Sequence, residues 1–274
     1  MNGYKQIHAL LRQTLKNNDR FYILCESPQM QPDTKGLLED FPQQVLQLPC
    51  SDEASIGIAV GLAVSGAQVA LYLNGPQHLH TVLAHLLEER FGAEFPLSLT
   101  IRIPLSPKES IDRNHINMIF DSHIRAIYAS TAAQTIAQLK DAFGGSGITL
   151  IFEDRESLLR DIPVEEHVQK SIVHQEGTHI SLFAFGKQLQ HAKALSVQYP
   201  QVEVVELVQL HPLDYDSISK SMHKTGRALC VSSPQSLFQT FLGQSFWRLE
   251  NQPQQLENIE AHRLQSKIEE LMRY

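Results

Sequence analysis

Two adjacent carboxylates in the segment LPCSDEASIGIAVGLAVSGAQVALYL (48–73) are the residues best placed to do chemistry. Asp52 and Glu53 stand where a predicted strand, 44–48, ends and a helix rich in small residues, 54–65, begins. In an open parallel sheet, ligands bind beyond the carboxyl ends of the strands, where a carboxylate can accept a proton or hydrogen bond from a heterocyclic ligand. The alternative is an N-terminal helix cap, because Asp and Ser favour that position and negative charge suits the helix dipole. Spacing alone favours the cap.

Histidine is the second residue type that could carry chemistry, with thirteen copies in the chain. His78, His80 and His85 fall close together in LNGPQHLHTVLAHLLEER. A metal site needs three or four converging ligands, usually including a carboxylate or thiolate, so exposed histidines at a loop and helix start are favoured over a metal site. A further histidine, His115, lies in a predicted polar loop, 104–117, and its side chain titrates near neutrality.

The cysteines and glycines argue against two common kinds of site. Cys25, Cys50 and Cys230 are far apart and show no C-x-x-C spacing, which favours reduced, buried thiols. The pair Gly57-x-x-x-Gly61 lies inside a predicted helix and lacks the order of a dinucleotide-binding fingerprint. Small residues at that spacing allow close helix packing.

The elements that must position these residues alternate between strand and helix. Predicted strands cover 20–26, 44–48, 68–73, 97–103, 124–129, 148–153, 179–186, 202–207 and 227–232. This alternation predicts parallel sheets covered by helices on both faces. The expected fold is therefore α/β, with two three-layer α/β/α domains at 1–158 and 178–274 and a polar linker at 159–177.

Composition supports a folded protein and excludes several partners. Of 274 residues, 42% are hydrophobic and 19% are charged, so a sizeable core can form. The formal net charge of −7 and the lack of a basic stripe argue against nucleic-acid binding. The longest uncharged apolar stretch, 54–73, contains many small and polar residues, and the N-terminus lacks an apolar signal core. A cytoplasmic protein without membrane contact is expected.

With these elements set out, segment 48–73 resembles the β subunit of the heterotetrameric thiamine diphosphate (ThDP)-dependent 2-oxo acid dehydrogenases, the E1 component. That family typically reads T-P-I-S-E-x-G-x-x-G-x-A-x-G-x-A-x-x-G, and the residues in step here are Pro49, Ser51, Gly57, Ala59, Gly61, Ala63 and Gly66. Similar segments follow in the same order at 96–104, 114–117, 124–143, 148–158, 176–195 and 202–231. The resemblance therefore covers most of the chain.

The resemblance implies a thiamine-pyrimidine-binding domain followed by a transketolase C-terminal-like domain. In the family, the β subunit binds the aminopyrimidine of ThDP, while an E1 α subunit holds the diphosphate and Mg. A family glutamate hydrogen-bonds the pyrimidine ring nitrogen and drives the tautomer that generates the ylid, the nucleophile that attacks a 2-oxo acid. The chain is therefore expected to act with an α partner in an α2β2 assembly that includes β-subunit homodimerisation. The acyl group would pass to a lipoyl acyltransferase or another acceptor.

The resemblance also implies site residues, and several of them depart from the family. Asp52 falls at the glutamate position and is one methylene shorter, while Glu53 could take that role only if the turn shifts by one residue. His78 stands where the family has an aromatic residue that stacks on the pyrimidine, and Thr81 stands where it has a glutamine. His115 keeps the family histidine that contacts substrate or intermediate. No metal ligand is predicted in this chain.

Three functions are open at this point. The first is a catalytic E1 β-like subunit of a 2-oxo acid dehydrogenase or related acyl- or ketol-transferring enzyme. The second is a degenerate, non-catalytic paralogue that keeps the fold and the assembly surfaces while the cofactor contacts erode. The third is an α/β protein that binds another small ligand at the same cleft through its histidines.

Overall fold

The computed structural model describes residues 2–88, 97–109, 111, 113–120, 122–160, 167–231, 254–256 and 261–273. The chain forms two compact units, Met1–Val168 and Gln169–Tyr274. The division falls inside the segment predicted as a linker. Both units are α/β, so the predicted fold class is confirmed.

Strand and helix alternate through the first unit, as the sequence pattern predicts. Its elements are α1 (Gly3–Asn17), β1 (Phe21–Cys25), α2 (Leu37–Asp40), β2 (Val45–Gln47), α3 (Asp52–Val64), β3 (Gln68–Tyr72), a 3₁₀ turn (Pro76–His78), α4 (Leu79–Glu88), β4 (Ser98–Leu105), α5 (Arg113–Phe120), β5 (Arg125–Ala129), α6 (Ala132–Gly144), β6 (Gly147–Asp154) and α7 (Arg155–Leu159).

The six strands of the first unit lie in the order β5-β6-β4-β3-β1-β2, and each neighbouring pair is parallel. Seven of the eight residues of β4 are buried, including Thr100 and Arg102, because a central parallel strand is covered on both faces. After β1 the chain places β2 on one side of it and β3 on the other. In sheets of this kind, ligands bind in the crevice where the strand order reverses, which here lies between β1 and β3.

One predicted loop of the first unit is partly helical. Residues 104–117 were expected to form a polar loop, but Arg113–Phe120 forms α5. Ile116 and Ile119 are buried. Residues three apart lie on one face of a helix. Burial of this apolar face stabilises a helix whose other residues are mostly polar. His115 therefore lies on a helix.

The second unit has its own sheet and core. Its elements are β7 (Ser171–Gln175), β8 (Ile180–Ala184), α8 (Lys187–Ser196), β9 (Val202–Leu207), β10 (Gln209–His211), α9 (Tyr215–Thr225), β11 (Ala228–Val231), β12 (Gln254–Leu256) and α10 (Ala261–Met272). Five strands lie in the order β12-β11-β8-β9-β7. Leu264, Ile268 and Leu271 of α10 pack into the core on this sheet.

Strand β7 departs from the expected pattern, because it lies within the predicted linker and runs antiparallel to β9. The Gln175 side chain holds its end in place by donating to the carbonyl oxygens of Ser196, Tyr199 and Val202 at 3.1, 3.1 and 2.7 Å. Only the fold brings these three carbonyls together, so the short polar sequence gave no sign of the strand.

No helix in the described parts of the two units is long and apolar enough to cross a bilayer.

Candidate functional site

The turn from β2 into α3 shows whether Asp52 is the helix cap or a residue whose carboxylate can contact a ligand. Ser51 is the N-cap of α3, since its Oγ accepts a hydrogen bond from the backbone N–H of Ala54 at 3.3 Å. Asp52 is the first helical residue, so its carboxylate is not the capping group. The favoured sequence interpretation, a cap, therefore belongs to Ser51 rather than Asp52.

Asp52 instead contacts His78 across the C-terminal edge of the first sheet. Its Oδ1 lies 2.7 Å from Nδ1 of His78, and the two side chains are 25% and 28% exposed, respectively. His78 ends the 3₁₀ turn that follows β3. Strands β2 and β3 lie on either side of β1 and run parallel to it, so their following loops meet at one edge.

The other two residues predicted beside Asp52 lie on these same segments. Glu53 is exposed, and its Oε2 accepts a hydrogen bond from the Ser51 hydroxyl at 3.3 Å. Thr81 lies in the first turn of α4, three residues after His78, and is half-buried. Residues three apart on a helix are neighbours on its surface, so Thr81 lies near His78.

His115 takes part in a different contact at the start of α4. Its ring centroid lies 6.2 Å from that of His80. Helix α4 packs against both α3 and α5. Because residues two apart on a helix point about 200° apart, His78 turns to Asp52 of α3 while His80 turns to His115 of α5. Asp52 and His115 thus belong to two separate contacts.

A polar pair at the crevice between β1 and β3 was missed by the sequence analysis. Glu26 follows β1 directly and accepts a hydrogen bond at Oε2 from the Asn74 side-chain amide at 2.5 Å. Arg155 reaches the backbone oxygen of Asn74 at 3.4 Å. The available signal was position alone, since a polar residue directly after a buried parallel strand lies at the ligand-binding edge.

A buried ionic cluster supports the sheet beneath this edge. Arg102 of β4 is 1% exposed and pairs with both carboxylate oxygens of Glu153 at 2.5 and 2.7 Å. Its other guanidinium nitrogen donates to Asp33 at 2.7 Å, and Tyr72 donates to the same Asp33 oxygen at 2.7 Å. Burial alone would lower the pKa of Arg102, but the two carboxylates raise it, so the guanidinium stays charged.

The three thiols differ in exposure. Cys25 and Cys230 are buried, as expected, and burial raises the pKa of Cys25 to about 11. Cys50, two residues before Asp52, is exposed, so the expectation that all three are buried is wrong. The turn that brings Asp52 to the sheet edge also turns Cys50 towards solvent.

In the described ranges, no three His, Cys, Asp or Glu side chains form a group that could hold a metal ion. Asp52 and His78 instead form a hydrogen-bonded acid–base pair at the edge of the sheet. Such a pair can accept or donate a proton or hydrogen bond.

Comparison with known proteins agrees with the resemblance given by the motifs. Residues 169–235 match the family described as transketolase, C-terminal domain. Proteins named pyruvate dehydrogenase E1 component subunit beta are 25% identical in Bacillus subtilis and 24% identical in Staphylococcus epidermidis, over 86% of this chain and 80% of theirs. The predicted similarity to an E1 β subunit is confirmed.

A solved structure shares the whole two-unit fold. It is titled "Split gene transketolase, inactive beta4 tetramer", and it matches 97% of this chain and 93% of its own with a TM-score of 0.73. Its sequence is 16% identical, so this likeness supports the fold alone.

Proposed function

We propose that this E1 β-like protein of the transketolase family is the β subunit of a ThDP-dependent 2-oxo acid dehydrogenase. In this function the chain would bind the aminopyrimidine half of the cofactor, and an α partner would hold its diphosphate and Mg. The chain has no G-D-G…N signature for the diphosphate. When bound, ThDP supplies the carbanion chemistry of decarboxylation.

The observation that carries this proposal is the pair formed by Asp52 and His78 at the edge of the sheet. Ser51 caps α3, so the helix does not use the Asp52 carboxylate, and the backbone of Asp52 is held in the first helical turn. The side chains fit an aminopyrimidine, which offers ring nitrogens and an amino group to a carboxylate, an imidazole and the Thr81 hydroxyl. His115 would contact the substrate from the neighbouring helix.

The outer face of α3 supports a partner chain. Gly57 and Gly61 lie on this face, and a Cβ added at either would meet nothing within 4 Å. Ile58 and Val64 on the same face are 39% and 52% exposed. A helix that is apolar on nearly all sides is normally buried. We take this face, defined by these four residues, as the docking surface of the α subunit.

The larger assembly is proposed by analogy with the E1 β subunits that this chain resembles. An α2β2 complex would contain a twofold pair of β chains joined through the second unit, and a lipoyl acyltransferase would receive the acyl group. Because the diphosphate and Mg are assigned to the α partner, this chain without that partner would be inactive.

One observation favours a second function, a non-catalytic role in assembly. The Asp52 carboxylate already contacts His78, at a position where the family has an aromatic ring. A carboxylate held in a permanent ion pair would bind a pyrimidine less well. The fold and the α3 face would then be kept for binding a partner.

Affinity purification from the native host separates these functions. The catalytic proposal predicts a partner chain carrying a diphosphate-binding signature and one bound ThDP per αβ pair, measured by fluorescence after oxidation to thiochrome. In the assembled complex, Asp52→Asn should lower turnover of a 2-oxo acid at least about 100-fold, because the amide keeps the shape of the side chain but removes the proton-accepting carboxylate.

Two results would count against the catalytic proposal. A partner without ThDP would favour the assembly role. Unchanged turnover in the Asp52→Asn complex would remove Asp52 from the site. His123→Gln, at an exposed position of the same unit, is the matched control and should leave turnover and ThDP content unchanged.

A further inference from the structure

We infer that Asp52 orients His78, and that His78 Nε2 is the atom this chain offers to the pyrimidine ring nitrogen. This assignment rests on the proposed function and changes the role of both residues. Asp52 becomes a positioning residue, and His78 becomes the contacting residue in place of the shortened carboxylate.

The ring nitrogens of His78 are distinguished by their contacts. Nδ1 lies 2.7 Å from Asp52 Oδ1, and an ionised carboxylate can only accept a hydrogen bond. Nδ1 must therefore carry the proton in this contact. In the neutral ring Nε2 is then an acceptor, and in the doubly protonated ring it is a donor. A neutral pyrimidine ring nitrogen is itself an acceptor, so the contact requires one proton between the two nitrogens, carried either by Nε2 of the doubly protonated ring or by the pyrimidine nitrogen. An acidic partner on one ring nitrogen is the usual device for fixing which tautomer the other presents.

In this arrangement the imidazole of His78 compensates for the shorter side chain of Asp52. Asp52 is one methylene shorter than the family glutamate, so its carboxylate stays closer to α3. The imidazole extends the hydrogen-bonding group by the width of a ring beyond Oδ1. Asp52 and His78 are each about one-quarter exposed, so the pair is open to a ligand at the edge of the sheet.

Both side chains start from backbone that is held in place. The Ser51 cap fixes the first turn of α3. Pro76 opens the turn that ends at His78, and its carbonyl oxygen accepts from the backbone N–H of Leu79. Contacts mounted on such rigid segments hold the geometry that a reactive ligand requires.

The inference differs from a stacking role, in which only the face of the ring would matter. It also differs from an ordinary surface ion pair, which contributes little to stability. Either alternative would leave the tautomer of His78 without consequence, which gives a direct test.

The first measurement is the ¹⁵N–¹H correlation spectrum of the histidine rings in the full-length chain, at a pH where imidazole is neutral. We expect His78, assigned by its loss in His78→Gln, to be protonated at Nδ1, the minor tautomer of free histidine. Asp52→Ala should return it to the Nε2–H tautomer, and His123→Gln should change nothing at His78. An Nε2–H tautomer in the wild type, or no change in Asp52→Ala, would overturn the inference.

The second measurement is ThDP affinity in the complex with the α partner. His78→Phe keeps a stacking ring and removes Nε2. We expect this variant to bind ThDP about 10- to 100-fold more weakly, the range for a hydrogen bond to a charged group. Binding by His78→Phe as tight as that of the wild type would establish stacking and overturn the inference, while the proposed function would stand.

The same experiment identifies failure of the proposed function itself. If the wild-type complex holds no ThDP, the proposed function and the inference both fall. If wild-type and His78→Gln complexes bind ThDP equally, only the assignment of Nε2 falls.

Discussion

Arg102 is the centre of a buried ionic cluster that stabilises the first sheet. It joins β4 to Glu153 of β6 and to Asp33, and its guanidinium carbon lies 4.1 Å above the centre of the Tyr72 ring. The cluster contains two carboxylates for one guanidinium, all buried. Removing the cation would leave two buried negative charges without compensation.

Arg102→Met should therefore lower the free energy of unfolding by about 3–5 kcal/mol, the usual effect of breaking a buried pair by removing one partner. Arg12→Met is the matched control, because Arg12 pairs with Asp40 at the surface and should contribute at most about 1 kcal/mol. Urea unfolding of both variants measures the difference. An equal effect of the two substitutions would show that the buried cluster does not stabilise the sheet.

Asp52 and His78 show how a departure from the family can be compensated at the level of single residues. Read one position at a time, the shorter acid and the lost aromatic both weaken the site. Read together, they form a hydrogen-bonded pair 2.7 Å apart. The two departures are therefore one structural feature. For this reason the loss of the two family residues supports a non-catalytic protein less strongly than it does when the sequence is considered alone.

In the proposed function, helix α3 is the element that links the site to a partner. Its first turn carries Asp52, and its outer face carries Gly57 and Gly61. Glycine within a helix lowers stability relative to alanine, because it loses more conformational freedom on folding. Two such glycines on an open face are explained if another chain approaches the helix closely there.

Substitution of these glycines should have opposite effects on the chain and on the complex. Gly57→Ala should raise the free energy of unfolding of the chain alone by about 0.5–1 kcal/mol, since space is open at this position. Gly61→Leu should fold but bind the α partner at least about tenfold more weakly, measured by calorimetry, because a loss of about 1.4 kcal/mol of binding free energy corresponds to that change.

Gly144→Leu is the matched control for the bulky substitution. Gly144 is also helical with open space around it, but it ends α6. Its partner affinity should equal that of the wild type. Equal partner binding by Gly61→Leu and the wild type would show that the outer face of α3 is not the docking surface.

Considered as a whole molecule, the chain is expected to be one part of a divided active site. The side chains described at the sheet edge are suited to the pyrimidine, and the diphosphate and Mg are assigned to the partner in the proposed function. A cofactor held at one end only would not be positioned for reaction, since catalysis depends on accurate orientation.

The purified chain alone, supplied with ThDP and Mg, should release no CO₂ from any of a panel of 2-oxo acids. Addition of the α partner identified from the native host should restore turnover. Release of CO₂ by the chain alone would contradict the division of the site between two subunits. The partner alone, assayed in the same way, is the control.

The sequence by itself determined most of the strands and helices and the class of fold. Hydrophobic runs located nearly every described strand of the parallel sheets, and Ser51 followed by Asp52 marked the start of α3. These features depend on neighbours a few residues apart, because helix and strand periodicity and capping are local. Predicting β7 failed because the strand depends on Gln175 reaching carbonyls more than twenty residues away.

Only the tertiary structure decided which side chains meet. Asp52 and His78 are separated in the chain by helix α3 and strand β3, and Glu26 and Asn74 lie on opposite sides of β2 and α3. Their contacts depend on the strand order, which puts β1 between β2 and β3. Parallel strands bring residues far apart in sequence to one edge of the sheet, and the local pattern of a strand carries no information about its neighbours.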